Sequence, residues 1–437
     1  MQTIVAISTA IGVGAIGIVR LSGEDSLSYA LRRFSSRAMP AAPQPNRMYL
    51  GRFAGDGFEE QCMMVYFAAP KSYTGEDIVE FQIHGGVTLA DLVLRTLLAD
   101  GARLAKAGEF TRRAFLNGKV TLSQAEGILG VINAESRAEV NLSYQMMAGS
   151  LGARLAPTLA SLAALTATLE AGLDYPDEME DEIERDFAPT MQTLIAELTA
   201  LDEGAENGKL VRHGVSVALI GTPNAGKSSL LNCILHEDRA IVTPIAGTTR
   251  DTLCESVSID GVRLNLLDTA GLRETEDAVE KMGVERAYSA ADKADAVVYL
   301  LDAERGETPN PAWLRRFKKK HLFVVYNKTD VAEAPTADHP SVSAKTGAGV
   351  EALLHEVAAI AKVDRAYGGM LSEDRHIEAV KRALDHLKRA AEAYENMPLD
   401  CVLVDLRAAY QALGEVDGAT ATEDVIDRVF ASFCVGK

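Results

Sequence analysis

Hydrophobic positions along this chain change their period several times. Over residues 1–118 short apolar runs at 16–21, 63–67 and 78–83 are punctuated by Gly, Pro and Ser, with one helical interval at 89–98. That pattern predicts an α+β domain. From residue 123 to about 173 Ala, Leu and Glu dominate and only Pro157 interrupts, which predicts long helices. The next stretch, 174–186, holds eight acidic residues in thirteen and reads as a solvated helix–loop–helix junction. Apolar strand-like runs then recur at 215–220, 262–267 and 322–326, with a helix-like run at 229–235 after the first. Beyond them Ile377, Val380, Leu384 and Leu387 return to helical spacing, and helices continue to the C-terminus. The expected layout is an N-terminal α+β domain (1–118), a helical domain in two parts (119–213 and 363–437), and an α/β domain (214–362) inserted between them.

Length and charge narrow the picture. A chain of 437 residues is long enough for two to four cores. Its net charge of −18 opposes indiscriminate binding to nucleic acid or anionic membrane, so any nucleic-acid contact is local or comes with a partner. The basic cluster at 315–320 reads as a solvated helix end rather than an RNA contact. Five scattered cysteines, Cys62, Cys233, Cys254, Cys401 and Cys434, lack metal-ligand spacing and point to reduced thiols in the cytoplasm. The uncharged stretch 3–19 has no Lys or Arg before it and is broken by Gly12, Gly14 and Gly17, so neither targeting nor membrane insertion is expected. Those glycines spell G-x-G-x-x-G, but a strand rather than a helix should follow, which argues against a dinucleotide site.

Four motifs carry the chemistry. G-T-P-N-A-G-K-S at 221–228 stands between a strand-like and a helix-like run, the context of a phosphate-binding loop. There the backbone N–H groups converge on phosphate, Lys227 adds a point charge on the β and γ oxygens, and Ser228 can ligate Mg²⁺. D-T-A-G at 268–271 follows the second run, where Asp268 can reach Mg²⁺ through water and Gly271 can offer an N–H to the γ-phosphate. N-K-T-D at 327–330 follows the third run. Asp330 can accept from N1–H and the exocyclic amine of guanine, a donor pair that adenine lacks. Asn327 would tie this loop to the phosphate loop, and Lys328 would lie along the purine face. S-A-K at 343–345 supplies a backbone N–H near O6. Together they predict a P-loop GTPase domain.

With these motifs stand G-I-V-R-L-S-G at 17–23, S-Y-T-G-E-D at 72–77, H-G-G at 84–86, G-E-F-T at 108–111, R-A-F-L-N at 113–117 and F-C-V-G-K at 433–437. On these residues nearly the whole chain resembles the tRNA-modification GTPase family called MnmE or TrmE. The resemblance implies a homodimer whose N-terminal domain binds a reduced folate (formyl- or methylene-tetrahydrofolate) through Arg20, Glu80, Lys119 and Lys437. It also implies a flavin-dependent partner of the MnmG (GidA) type, which alone would carry FAD, and a tRNA substrate modified at C5 of its wobble uridine. Guanine-nucleotide binding would fall to Asn224, Ala225, Gly226, Lys227, Ser228, Ser229, Thr243, Thr249, Asp268, Gly271, Asn327, Lys328, Asp330, Ser343 and Ala344. Leu272 stands where many Ras-like enzymes hold a water-orienting Gln, and the resemblance gives that role to Glu280. It implies K⁺ in place of an arginine finger, ligated by Asn224, Thr243, Ile245 and Thr248, with Mg²⁺ on Ser228 and Thr249.

Two other readings compete with this one. A ribosome-assembly GTPase acting as a binding switch would carry an appended RNA-binding module, and none is visible. A folate-binding scaffold whose hydrolysis only times partner release is the other. No paired carboxylates, Ser/His/Asp set or metal cluster in the sequence suggests a catalyst for base chemistry. His84 and its two glycines read as a tight turn, with a ligand-facing loop as the alternative, and nothing beside Cys434 in the sequence would activate its thiol.

Overall fold

Alternate burial along the early strands assembles the first sheet: on β2 (Ile16–Ser22) Gly17, Val19 and Leu21 face inward, while Ile16 is exposed and Ile18 and Arg20 are half-buried. A computed structural model describes residues 1–237, 254–267, 290–362 and 369–437. The chain divides into two units, one of Met1–Leu129, Met146–Thr166 and Leu403–Lys437, the other of Gly130–Gln145 and Ala167–Val402.

In the first unit β1 (Ile4–Ile7), β2, β3 (Phe34–Ser35), β4 (Met48–Gly55), β5 (Phe58–Phe67), β6 (Ile78–His84) and β7 (Arg103–Leu104) form one sheet in the order β3-β4-β5-β6-β2-β1-β7. Neighbours are antiparallel except β1 and β7. Helices Ser26–Arg33 and Val87–Ala99 pack on one face over Val19, Leu21, Phe53, Met64 and Phe81. Alternation on β1 turns Ile4 and Ala6 to the other face, against Ala105 and Phe110. Helix Glu423–Ala431 and the tail after it close this unit. Phe430 and Phe433 pack on Leu122 and Ala125, Val435 pairs with Ala107, and the Phe110 N–H donates to Lys437 O at 3.1 Å. Arg113, with a side chain only 4% exposed, is neutralised by Glu76 (2.8 Å) and Glu109 (3.0 Å), as a buried cation requires.

The second unit holds a five-stranded sheet of β8 (Val215–Gly221), β9 (Cys254–Ile259), β10 (Val262–Leu267), β11 (Ala296–Asp302) and β12 (His321–Asn327), ordered β12-β11-β8-β10-β9. All but β9 run parallel, and β11 is buried along its whole length, as a central strand covered on both faces must be. Helices Lys227–Glu237 and Val350–Ala358 cover one face through Leu230, Ile234, Leu353 and Val357. Helix Pro176–His213 precedes this sheet in sequence and helix Asp374–Asn396 follows it, and the two pack antiparallel. Phe187 stacks on Tyr394 with ring centres 3.8 Å apart, Asp202 pairs with Lys381, and Arg212 pairs with Glu373.

Two expectations differ from the structure. Pro157 does not end a helix: Ser150–Asp174 runs through it, held by buried Leu155, Leu162 and Leu165, while breaks fall at 134–136 and 148–149. Proline in the second helical turn forfeits one backbone bond, which flanking burial offsets. The acidic run is helical from Pro176 onward, because proline at the first position and Asp177 and Glu178 in the first turn favour helix initiation. Among the described residues no helix is long and apolar enough to cross a membrane.

Candidate functional site

The phosphate loop hangs between the end of β8 and the start of helix Lys227–Glu237, where the N–H groups of a helix's first turn can meet an incoming anion. Asn224 and Gly226 take left-handed φ values of 66° and 93°. At Gly226 nothing larger fits, since a Cβ would stand 2.2 Å from Asn327 Nδ2. The Lys227 ammonium curls over the loop and donates to Gly221 O (2.9 Å) and Thr222 O (2.8 Å). Burial lowers its pKa and the nearby Glu307 opposes this, so a phosphate would restore the charge that the site disfavours. Ser228 and Ser229 are exposed at the helix start.

The base loop follows β12. Asn327, 2% exposed, donates from Nδ2 to Ala225 O (2.8 Å) and accepts at Oδ1 from the Ala344 N–H (3.0 Å). One amide thus joins the phosphate loop, the base loop and the S-A-K segment. Asp330 Oδ1 accepts from Ser343 Oγ (2.8 Å), which with Lys345 nearby holds its pKa below the usual carboxylate range. It is therefore ionised and able to accept from a guanine edge. Lys328 is anchored to Asp302 Oδ2 at 2.6 Å. Of the residues expected in this site, Asn224, Ala225, Gly226, Lys227, Ser228, Ser229, Asn327, Lys328, Asp330, Ser343 and Ala344 lie on these adjoining segments. Thr243, Ile245, Thr248, Thr249, Asp268, Gly271 and Glu280 lie outside the described residues.

A second cluster stands in the N-terminal unit. Register pairs Arg20 on β2 with Glu80 on β6, and their side chains meet at 2.6 Å. The Arg20 guanidinium lies 5.6 Å from the Phe110 ring centre and 5.9 Å from that of Tyr73, and reaches Gly436 O at 3.5 Å. Lys437 has its pKa lowered by burial and by Arg20, with Glu80 opposing, so Arg20, Glu80 and Lys437 share one electrostatic neighbourhood. Lys119 is tied instead to Pro70 O at 3.0 Å, on the loop that carries Tyr73. His84 ends β6 with its Nδ1 2.6 Å from Glu60 Oε1, and Gly85 and Gly86 make the turn into helix Val87–Ala99. The glycine-rich segment lines a cavity of about 330 Å³ with Gly85 and Gly86, and β2 rather than a helix carries the chain on. Among the described residues no group of three or more His, Cys, Asp or Glu side chains could hold a metal.

Sequence reasoning gave no role to Thr222, inside the phosphate loop, and missed Asp302 and Glu307, which bond to the two loops. The available signal was Asp302 at the carboxyl end of an unbroken apolar run, where parallel sheets place ligand-facing groups.

The family model described as the MnmE helical domain matches residues 122–434, and that described as the GTP-binding protein TrmE N-terminus matches residues 3–119. The chain is 39% identical to the tRNA modification GTPase MnmE of Fervidobacterium nodosum, with 100% of this chain and 98% of that protein covered. To the protein of the same name from Symbiobacterium thermophilum it is 41% identical, covering 100% of this chain and 99% of the relative. A crystal structure of Era in complex with MgGDPNP and nucleotides of 16S ribosomal RNA aligns with 26% identity over 39% of this chain and 66% of that one, at a TM-score of 0.26.

Proposed function

We infer its function from one premise: the chain belongs to the MnmE family of tRNA modification GTPases. It hydrolyses GTP, and it does so as a K⁺-dependent homodimer that works with an MnmG-type flavoprotein on the wobble uridine of tRNA, drawing a one-carbon unit from a reduced folate. The observation that carries the nucleotide part is the Asn327 amide, which fixes the phosphate and base loops in one frame. Ser228 and Asn224 present exposed hard oxygens of the kind that Mg²⁺ and K⁺ take. Ser228 would hold Mg²⁺ with Thr249, and Asn224 would hold K⁺ with Thr243, Ile245 and Thr248. Held by those residues, the cations would supply charge to offset that developing on the phosphate oxygens. Lys227 binds the same oxygens, Asp330 selects guanine, and Glu280 orients the attacking water.

The Arg20, Glu80 and Lys437 cluster supports folate at the N-terminal site. A carboxylate suits the paired N–H groups of a pterin, two cations suit a glutamate tail, and the rings of Tyr73 and Phe110 border the guanidinium. The folate supplies the one-carbon unit, and these residues hold and orient it.

Nucleoside analysis of bulk tRNA from a deletion strain tests the whole reading. A missing C5 modification at the wobble uridine is expected, and intact wobble uridine with accumulating ribosomal precursors would support ribosome assembly instead. Calorimetry with a stable formyl-folate tests the second site. Native protein should bind, while Glu80→Ala and removal of residues 433–437 should weaken binding and spare GTP hydrolysis. Unchanged affinity in both variants would remove these residues from the site.

A further inference from the structure

A second link joins the two nucleotide loops, and none of the motifs contains it. Thr222, just after the first glycine of the phosphate loop, donates its hydroxyl to Glu307 Oε1 at 2.7 Å. The other oxygen of that carboxylate, Oε2, accepts the Asp302 N–H at 2.9 Å, and the Glu307 N–H donates back to Asp302 O at 3.1 Å. Asp302 closes β11 with its side chain fully buried. Its Oδ1 accepts the Glu304 N–H (3.0 Å) and its Oδ2 takes the Lys328 ammonium (2.6 Å). A continuous path therefore runs from Thr222 through Glu307 and Asp302 to the lysine on the purine side, separate from the Asn327 amide.

We propose that Glu307 is a positioning residue for the guanine nucleotide, holding the phosphate loop and Lys328 in register so that one ligand meets both at once. The carboxylate is suited to this because its two oxygens serve two donors from different segments, and a charged acceptor makes stronger bonds than a neutral one. Gln in its place would keep its oxygen on the Asp302 N–H and turn its N–H₂ to the Thr222 hydroxyl, which can accept, so that a neutral bond replaces the charge-assisted one. A carboxylate that merely supported the fold would alter the melting temperature and leave the affinity of the folded protein as it was. A register-holding carboxylate alters the residence time of ligands that span both loops.

The inference rests on the guanine-nucleotide reading of this site. Stopped-flow release of fluorescent GDP from the full chain tests it on native protein, Glu307→Gln, Thr222→Val, Thr222→Ser and the double variant Glu307→Gln/Thr222→Val, each with its melting temperature measured. Thr222→Val should release GDP roughly ten- to a hundredfold faster, the worth of one charge-assisted hydrogen bond, and Glu307→Gln, which weakens that bond without deleting it, should release GDP faster than native by a smaller factor. Thr222→Ser, which keeps the hydroxyl, should restore slow release. The double variant should be no faster than the quicker single one, because both act on the same bond. The KM for GTP should rise with the release rate while kcat changes far less. If Glu307→Gln does not fold, the contrast between Val and Ser at position 222 decides. Native release rates in Glu307→Gln and Thr222→Val, or fully additive effects, overturn the link and leave the nucleotide reading intact. Absence of saturable GDP binding to the native protein overturns both.

Discussion

Replacing Asn327 with Ala removes one amide and leaves two partners behind. The Ala225 carbonyl loses its 2.8 Å donor and the Ala344 N–H loses its 3.0 Å acceptor, at a side chain that is 2% exposed. Each buried polar group left without a partner costs about 1–3 kcal/mol, so the pair costs about 2–6 kcal/mol. If the loops stay ordered only when nucleotide is bound, the whole of this falls on affinity, a loss of roughly 30-fold to 25,000-fold for GDP. If they stay ordered without ligand, part of it shows in the urea midpoint instead. Equilibrium titration with fluorescent GDP, paired with urea unfolding, therefore accounts for both shares. Asn327→Asp is the sharper variant: it keeps the acceptor for Ala344 and sets a carboxylate oxygen against the Ala225 carbonyl. It should bind GDP no better than Asn327→Ala despite its native size. Gly226→Ala attacks the same amide from the other side, since its Cβ would stand 2.2 Å from Nδ2. Asn327→Ala with GDP affinity within about threefold of native and an unchanged urea midpoint would refute the argument.

Asp330→Asn should lose its preference for GTP and gain one for xanthosine triphosphate, because the amide now offers a donor where the carboxylate accepted, and competition binding with both nucleotides reads this directly. Glu280→Ala should slow hydrolysis by roughly 10²–10⁴ with GTP affinity nearly intact, and Na⁺ should replace K⁺ poorly; equal rates in the two salts would discard the cation assignment. Burial pushes Glu109 upward, yet Arg103, the Lys106 N–H and Arg113 together outweigh it and hold its pKa at about 2, below its ordinary 4.5. A depressed carboxylate stabilises the fold above its unfolded pKa and ceases to as pH falls through the folded one, so Glu109→Gln should cost on the order of 2 kcal/mol at pH 7. That difference should fade between pH 4.5 and 2, and a pH-independent difference in urea midpoint would contradict the cause assigned.

Local pattern carried much of this structure because the decisive segments obey local rules. Runs at 215–220 and 322–326 are almost wholly apolar and 262–267 alternates apolar with polar residues, so each reads as a strand, and the phosphate and base motifs begin where two of those strands end. The family resemblance names Arg20 and Glu80 separately, and that their side chains meet depends on the register of β2 against β6, which no local pattern displays. What escaped depends on burial. Arg113 looks like any basic residue in a helix until Glu76 and Glu109 are seen around it. Glu307 lies 85 residues from Thr222, in a segment with no periodicity to mark it. Pro157 misled because a helix breaker is judged on local energy, and packing on either side decided otherwise.

The N-terminal unit draws on residues 1–129, 146–166 and 403–437, and this has a bearing on how the protein is made. Ribosomes add about 5–20 residues per second, so the roughly 270 residues separating the first segment from the last keep the opening domain waiting for some 15–55 s. Through that interval Leu122 and Ala125 lack the cover of Phe430 and Phe433, and the backbone at Ala107 and Phe110 lacks its pairing with Val435 and Lys437. A nascent chain in this state exposes apolar surface and an unfilled backbone edge, the features that holdase chaperones recognise. Rare codons that slow translation between residues 166 and 403 would prolong the exposure, while those placed before residue 107 could not.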